Sequence, residues 1–157
     1  MSYVENNLMS GEKVIYKASI HWFIFVPSIT LAILGFLMIA GGRQSGNAGI
    51  GAIGGILVLL SIISFIKACI AKISTELAVT SKRVIAKVGL IRRNTVELNH
   101  SKVESFNIDQ SIFGRIFGYG TILVSGTGGG KTPISGIDSP LEFRRNAMET
   151  IDQSQQA

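Results

Sequence analysis

Two long runs without a charged side chain constrain this chain more than any other feature. Residues 21–40 and residues 48–66 contain no Lys, Arg, Asp or Glu. A helix of about 20 apolar residues is long enough to cross the hydrocarbon core of a bilayer, which is about 30 Å thick. The polar, glycine-containing residues 41–47 lie between the runs and suit a turn in water. The sequence therefore predicts a transmembrane helical hairpin within residues 21–71.

The alternative interpretation of the first run is a cleaved signal peptide. Its apolar stretch is longer than the about 7–15 residues of a signal-peptide core, which favours a retained span. Basic residues decide the orientation, because Lys13 and Lys17 precede the first apolar run, Lys67 and Lys72 follow the second, and only Arg43 lies between the runs. By the positive-inside rule we expect both termini to be cytoplasmic.

Small residues within the runs predict close helix packing. Gly51 and Gly55 have the four-residue spacing that lets two helix backbones approach each other. Such a contact can be internal to the hairpin, or it can join two copies of the chain. Gly51 and Gly55 are therefore candidate helix-packing residues, with both partners open.

The chain after the hairpin has the pattern of a small antiparallel sheet or barrel. Leu77 and Val79 alternate with polar neighbours, a second alternation follows over residues 84–88, and a third strand is predicted over residues 90–98. A helix is predicted over residues 139–152. Its start combines an N-cap Ser139, Pro140 at the first helical position and a capping-box Glu142.

The stretch VSGTGGGKTPI, residues 124–134, resembles the end of a nucleotide-binding P-loop. That motif needs a glycine five positions before Gly130, where this chain has Ser125, and it must open a helix. Pro133 follows closely and leaves no room for one. We interpret residues 126–131 as a hairpin turn. The returning strand is expected either to lie at a sheet edge or to begin after Pro133, because proline cannot donate to a ladder.

Several motifs together resemble the bacterial pleckstrin-homology-like, or membrane-flanked, domain family. They are Thr80-x-x-Arg83, a strand over residues 89–97, the Lys-Val-Glu-Ser stretch at 102–105 and the Arg-x-x-Gly-Tyr-Gly-Thr stretch at 115–121. A weaker match is Gly11-Glu12-x-Val14, since members often start with such a strand ahead of a membrane hairpin. The resemblance covers most of residues 72–148.

The resemblance implies an α+β membrane protein. Residues 1–20 form a cytoplasmic N-terminal segment with the first strand, and residues 21–71 form the transmembrane hairpin. Residues 72–157 form a small PH-like antiparallel β-barrel or sandwich of about seven strands, closed by the C-terminal helix. The family is expected at the cytoplasmic face of a bacterial inner membrane, and no catalytic residues come with it.

The residues themselves argue against an enzyme. The chain has two histidines and one cysteine, and its acidic residues are scattered singly, so no catalytic, cofactor-binding or metal-ligating set is predicted. Residues 72–157 contain 11 basic and 8 acidic side chains, and this small excess without an aromatic row disfavours nucleic acid.

A group of basic residues in the first predicted hairpins is the remaining candidate site. Their nonspecific contact with anionic lipid is one interpretation, and a solvated face with a positive-inside excess is the other. These candidates are Lys82, Arg83, Lys87, Arg92 and Arg93.

The leading functional hypothesis is a non-enzymatic inner-membrane protein that presents a cytoplasmic PH-like binding or assembly module. Its expected partners are the lipid bilayer and further copies of itself, with no cofactor. One alternative is an accessory subunit of a transporter or channel, which the absence of an ionisable residue near the centre of either span disfavours. The other is a monomeric module that binds anionic lipid.

Overall fold

The computed structural model describes residues 3–90 and 93–156. The chain divides into two compact units, which are described separately below. One consists of Met1–His21 together with Ala71–Ala157, and the other of Trp22–Ile70.

The elements follow one another in a mixed order of helices and strands. They are α1 (Tyr3–Asn6), β1 (Val14–Ala18), a 3-10 turn (Trp22–Phe25), α2 (Val26–Ser45), α3 (Ala48–Ser74), β2 (Glu76–Thr80), β3 (Arg83–Val88), β4 (Asn94–Asn99), a 3-10 turn (His100–Lys102), β5 (Val103–Asp109), α4 (Ile112–Phe117), β6 (Tyr119–Gly126), β7 (Lys131–Asp138) and α5 (Pro140–Gln156).

Two helical stretches, Trp22–Ser45 and Ala48–Ser74, are long and apolar enough to cross a membrane. The predicted turn over residues 41–47 is wrong in its length, because α2 continues to Ser45. Gly46 ends α2 in the left-handed region, with φ of 65°. The Asn47 side-chain oxygen then accepts a hydrogen bond from the Gly49 amide at 3.0 Å. Two residues are enough to reverse the chain because each fulfils a specific capping role.

Three glycines bring α2 and α3 together within the hairpin. A Cβ at Gly35 would lie 2.8 Å from Val58 Cγ2, and one at Gly54 would lie 2.7 Å from the carbonyl oxygen of Gly35. A Cβ at Gly42 would lie 2.6 Å from the Gly51 amide nitrogen. Any larger side chain at these three positions would force the two backbones apart.

The other unit contains two antiparallel sheets, ordered β1-β2-β3-β4 and β5-β6-β7. The expected closed barrel is therefore wrong. The chain turns through His100–Lys102 between β4 and β5, so these strands join the sheets without a ladder among the described residues. At the other side, β1 and β7 approach through an isolated bridge between Ile20 and Ile137.

The strands agree in part with their predicted bounds. The hairpin turn between β6 and β7 is confirmed, and β7, which contains Pro133, is an edge strand as expected. The strand predicted over residues 90–98 is observed as β4, Asn94–Asn99, and residues 91 and 92 lie outside the described part of the chain.

Helix α5 packs its apolar face between the sheets. The ring centroid of the fully buried Phe143 lies 6.0 Å from that of Tyr16 in β1 and 6.0 Å from that of Phe106 in β5. Because Phe143 contacts one strand of each sheet, it joins them into one core.

The helix begins at Pro140 as expected, but Ser139 does not form the predicted capping box. Ser139 has a φ of 47°, and its hydroxyl lies 3.2 Å from a carboxylate oxygen of Asp138. The Glu142 amide donates instead to the Ser139 carbonyl oxygen at 3.0 Å. The tight turn out of β7 rotates the serine side chain away from the helix.

Strand β2 is buried along its whole length, whereas its alternating sequence predicts a half-buried strand. The reason is α1, whose Val4 packs with Ala78 and Ile85 on the outer face of the sheet. This second small core comes from the N-terminal segment.

A buried ion pair fixes that segment to the β2–β3 turn. The Glu12 side chain is fully buried and that of Arg83 is 7% exposed. Arg83 donates from Nε and Nη2 to the two Glu12 carboxylate oxygens, each at 3.0 Å. Its Nη2 also donates to the Asn7 carbonyl oxygen at 2.7 Å, and the Thr80 hydroxyl donates to Glu12 at 2.6 Å. The paired oxygens and nitrogens are thus satisfied without water.

The pair changes the acidity of Glu12. Burial by itself raises the pKa of the Glu12 carboxyl. Hydrogen bonds from Arg83, the Met9 amide and Thr80 together lower it by more, so the pKa lies below its usual value of 4.5. The carboxylate therefore stabilises the fold fully above the usual pKa, and that stabilisation is lost as the pH falls through the lower folded value.

We expect Glu12→Gln to lower the free energy of unfolding by about 3–5 kcal/mol at pH 7, because it leaves the Arg83 charge buried without its partner. The measurement is denaturant unfolding of the full chain in detergent. Glu5→Gln, at a side chain that is 66% exposed, is the matched control and should change stability little. The difference between wild type and Glu12→Gln should shrink as Glu12 becomes protonated. Equal stabilities at pH 7 would contradict a structural role for the pair.

Candidate functional site

The structure separates the described members of the group of five basic residues that the sequence proposed as candidate lipid contacts. Arg83 is held by Glu12 and by Glu97, whose carboxylate lies 2.5 Å from Arg83 Nη1. Lys87 lies 3.5 Å from Glu76 and 5.2 Å from the centre of the Tyr3 ring. These two side chains are engaged inside the protein and do not form an exposed rim.

The other members of the set do not meet either. Lys82 and Arg93 are exposed, but they lie beyond opposite ends of β3. A six-residue strand is about 20 Å long, so the two charges are far apart. Arg92 lies outside the described residues. Lipid contact by the exposed members stays a prediction, and the four described members do not form one patch.

Arg93 instead shares an open depression with Lys131, a residue that the sequence singled out for its likeness to a P-loop lysine. The depression has a volume of about 570 Å³. Neither cation forms a salt bridge within residues 3–90 and 93–156. Two unpaired cations beside polar groups can attract an anion such as a phosphate. The lining residues are Val88, Gly89, Arg93, Asn94, Lys131, Thr132 and Pro133.

The sequence patterns did not predict α4, the six-residue helix Ile112–Phe117. The Ser111 hydroxyl caps the helix by accepting from the Gly114 amide at 3.1 Å, and Gly118 ends it with φ of 80°. The signal was present in the N-cap serine and in the apolar residues that follow. The helix exposes Ile112 by 77%, Phe113 by 63% and Ile116 by 69%.

Gly51 and Gly55 are the predicted helix-packing residues of the hairpin. A Cβ at either position would meet nothing within 4 Å, although Gly42 approaches the Gly51 backbone. The internal contacts of the hairpin use Gly35, Gly42 and Gly54 instead. The face that contains Gly51 and Gly55 is therefore available for another helix.

His100 lies in the 3-10 turn between β4 and β5. Its Nδ1 lies 2.9 Å from the Ser154 hydroxyl. Burial lowers the pKa of the imidazole, so the neutral form predominates at pH 7. Within the described residues no three His, Cys, Asp or Glu side chains come close enough to hold a metal ion. Two surface features of this unit are thus candidate binding surfaces, the basic depression and the apolar helix α4.

Comparison with known proteins yields one result. The family model described as "Bacterial PH domain" matches residues 23–151, from within the first apolar helix to α5. No curated protein and no solved structure matches the chain. The match covers most of the 157 residues, and the motif-bearing segments at Thr80, residues 102–105 and residues 115–121 all lie inside it. The chain belongs to the bacterial PH domain family.

Proposed function

We propose that this protein is a non-enzymatic assembly module anchored in the bacterial inner membrane. In this proposal α2 and α3 span the membrane, both termini are cytoplasmic, and copies of the chain associate through the hairpin. The PH-like unit then forms a cluster of binding surfaces beneath the bilayer.

The way the hairpin enters the fold supports anchoring. It is inserted between two paired strands, β1 and β2, so the PH-like unit is attached to the apolar helices by two chain connections. Residues 19–21 lie between β1 and the 3-10 turn at Trp22, and Thr75 lies between α3 and β2. In this proposal these short connections tether the unit to the membrane. Its ligands would have to be found there.

The observation that carries the assembly proposal is the outward face of α3. In lipid no hydrophobic effect draws helices together, so their association depends on close packing. Small residues favour it because they let the two backbones approach. Gly51 and Gly55 provide such a face, and the hairpin does not use their Cβ side for its own packing. A second copy of the chain presents the same face. The edge strands β4 and β5 are further surfaces that a neighbour can cover.

Assembly can be tested with matched glycine variants in lipid nanodiscs. We expect the wild type to have the mass of an oligomer, and Gly51→Leu with Gly55→Leu to have that of a monomer with an unchanged fold. Gly54→Leu is the control, since it should disrupt the hairpin itself by clashing with Gly35 and Ile39. A wild-type protein that stays monomeric at micromolar concentration would refute the assembly proposal.

Topology has a separate test in spheroplasts. In a Cys69→Ser background, we expect an impermeant maleimide to label Ser45→Cys near the hairpin turn. Ser154→Cys, in α5, should react only after lysis. The reason is the excess of basic residues outside the turn. Labelling of Ser154→Cys in intact spheroplasts would reverse the proposed orientation.

The basic depression favours a second candidate, a monomeric module that binds anionic lipid. A basic residue near an anionic surface contributes about 1 kcal/mol, which is roughly fivefold in affinity. If this candidate is right, Arg93→Ala with Lys131→Ala should lower phosphatidylglycerol retention in native mass spectrometry by roughly 10- to 30-fold. Arg144→Ala, at an exposed arginine of α5 outside the depression, is the matched control. Equal retention by all variants would exclude the depression as the lipid site.

A further inference from the structure

Helix α4 presents an apolar surface that the fold does not use. Ile112, Phe113 and Ile116 are each more than half exposed. From residue 110 to residue 118, Arg115 is the only charged side chain, and it is exposed as well. Large apolar side chains grouped on a protein surface usually mark a contact with a partner or a membrane.

The position of α4 within its unit indicates a contact with the membrane. Tyr119 follows the helix after Gly118, and its ring stacks on His21 with centroids 5.5 Å apart. Tyr119 also pairs with Asp138, whose amide donates to the Ser19 carbonyl oxygen at 2.9 Å. His21 is the last residue of this unit before the chain enters the first apolar helix at Trp22. The end of α4 therefore lies beside the point at which the chain leaves for the span.

The size of the surface favours lipid over a protein partner. The exposed parts of the apolar side chains on α4 amount to roughly 500 Å² at most, since an aromatic side chain buries about 150–250 Å² in total. A stable protein interface takes about 800 Å² from each partner. A bilayer has no such minimum, because the strength of interfacial binding scales with the apolar area buried and with the attraction of cations to anionic lipid.

The geometry points to α4 as a second membrane contact of the PH-like unit. Ile112, Phe113 and Ile116 enter the boundary between headgroups and acyl chains, and Arg115 meets the lipid phosphates. The inference rests on the proposed function in one respect, that the hairpin spans the same membrane. With α4 in the interface, the unit contacts the membrane directly in addition to its two chain connections to the hairpin.

The test is fluorescence quenching on the full chain in vesicles of phosphatidylcholine and phosphatidylglycerol. Single cysteines are introduced in a Cys69→Ser background and labelled with bimane. The α4 sites are Ile112→Cys and Ile116→Cys, both at exposed side chains. Ser101→Cys is the matched control, because it is exposed and lies at the far end of β5, about 20 Å from α4. Leu37→Cys in α2 reports on the span itself.

We expect nitroxide lipids labelled near the headgroup end of the acyl chain to quench the two α4 sites clearly more than Ser101→Cys, because the α4 side chains lie at that depth. Aqueous iodide should show the reverse order. Iodide access at the α4 sites equal to that at Ser101→Cys would overturn the inference. So would shielding from iodide without quenching by lipid, which would identify a protein neighbour such as a second copy. If Leu37→Cys is not quenched by nitroxide lipid, the hairpin does not span and the proposed function fails; quenching there alone refutes only the role of α4.

Discussion

The buried pair of Arg83 and Glu12 is the interaction on which the PH-like unit depends. Its two members are 71 positions apart, with the entire apolar hairpin between them. The pair fastens the N-terminal segment to the β2–β3 turn, and from there β1 can pair with β2 and α1 can cover the sheet. Removing one partner would leave a charge in a site without water, so the two residues stabilise the fold only together.

This pair also explains what the recognisable motifs are for. Gly11-Glu12-x-Val14 and Thr80-x-x-Arg83 meet in one network, in which Thr80 both donates to Glu12 and accepts from the Arg83 amide. Arg83, which the sequence grouped with the candidate lipid contacts, and Glu12 are therefore structural here. The surfaces left for function lie elsewhere, on the outward face of α3, in the depression between Arg93 and Lys131, and on α4. All three are open surfaces rather than enclosed clefts, which suits a module that binds other components at a membrane.

Much of the architecture could be predicted from local sequence, and the failures share one cause. The family, the two apolar helices, the β6–β7 hairpin and the start of α5 depend on signals within a few residues, namely hydropathy, glycine and proline. The closed barrel and the capping role of Ser139 were wrong, and two of the five basic candidates, Arg83 and Lys87, are engaged within the protein. Each depends on where distant segments pack. The Ser139 side chain does not cap α5 because the turn after β7 gives Ser139 a positive φ. Arg83 is buried because it pairs with Glu12, which precedes the hairpin in the sequence.

The sequence by itself determined that the chain has two apolar helices and that strands precede and follow them along the chain. It also determined that the motifs are those of a bacterial PH domain. Those properties follow from composition and spacing along the chain. Only the tertiary structure decided which charges are buried, which glycines pack inside the hairpin, and which apolar residues stay exposed. The physical reason is that burial and pairing belong to contacts between segments. The local sequence around a lysine or a glycine is the same whether that residue contacts a neighbouring segment or solvent. Gly54 and Gly55 therefore differ only in the tertiary structure, where α2 packs against Gly54.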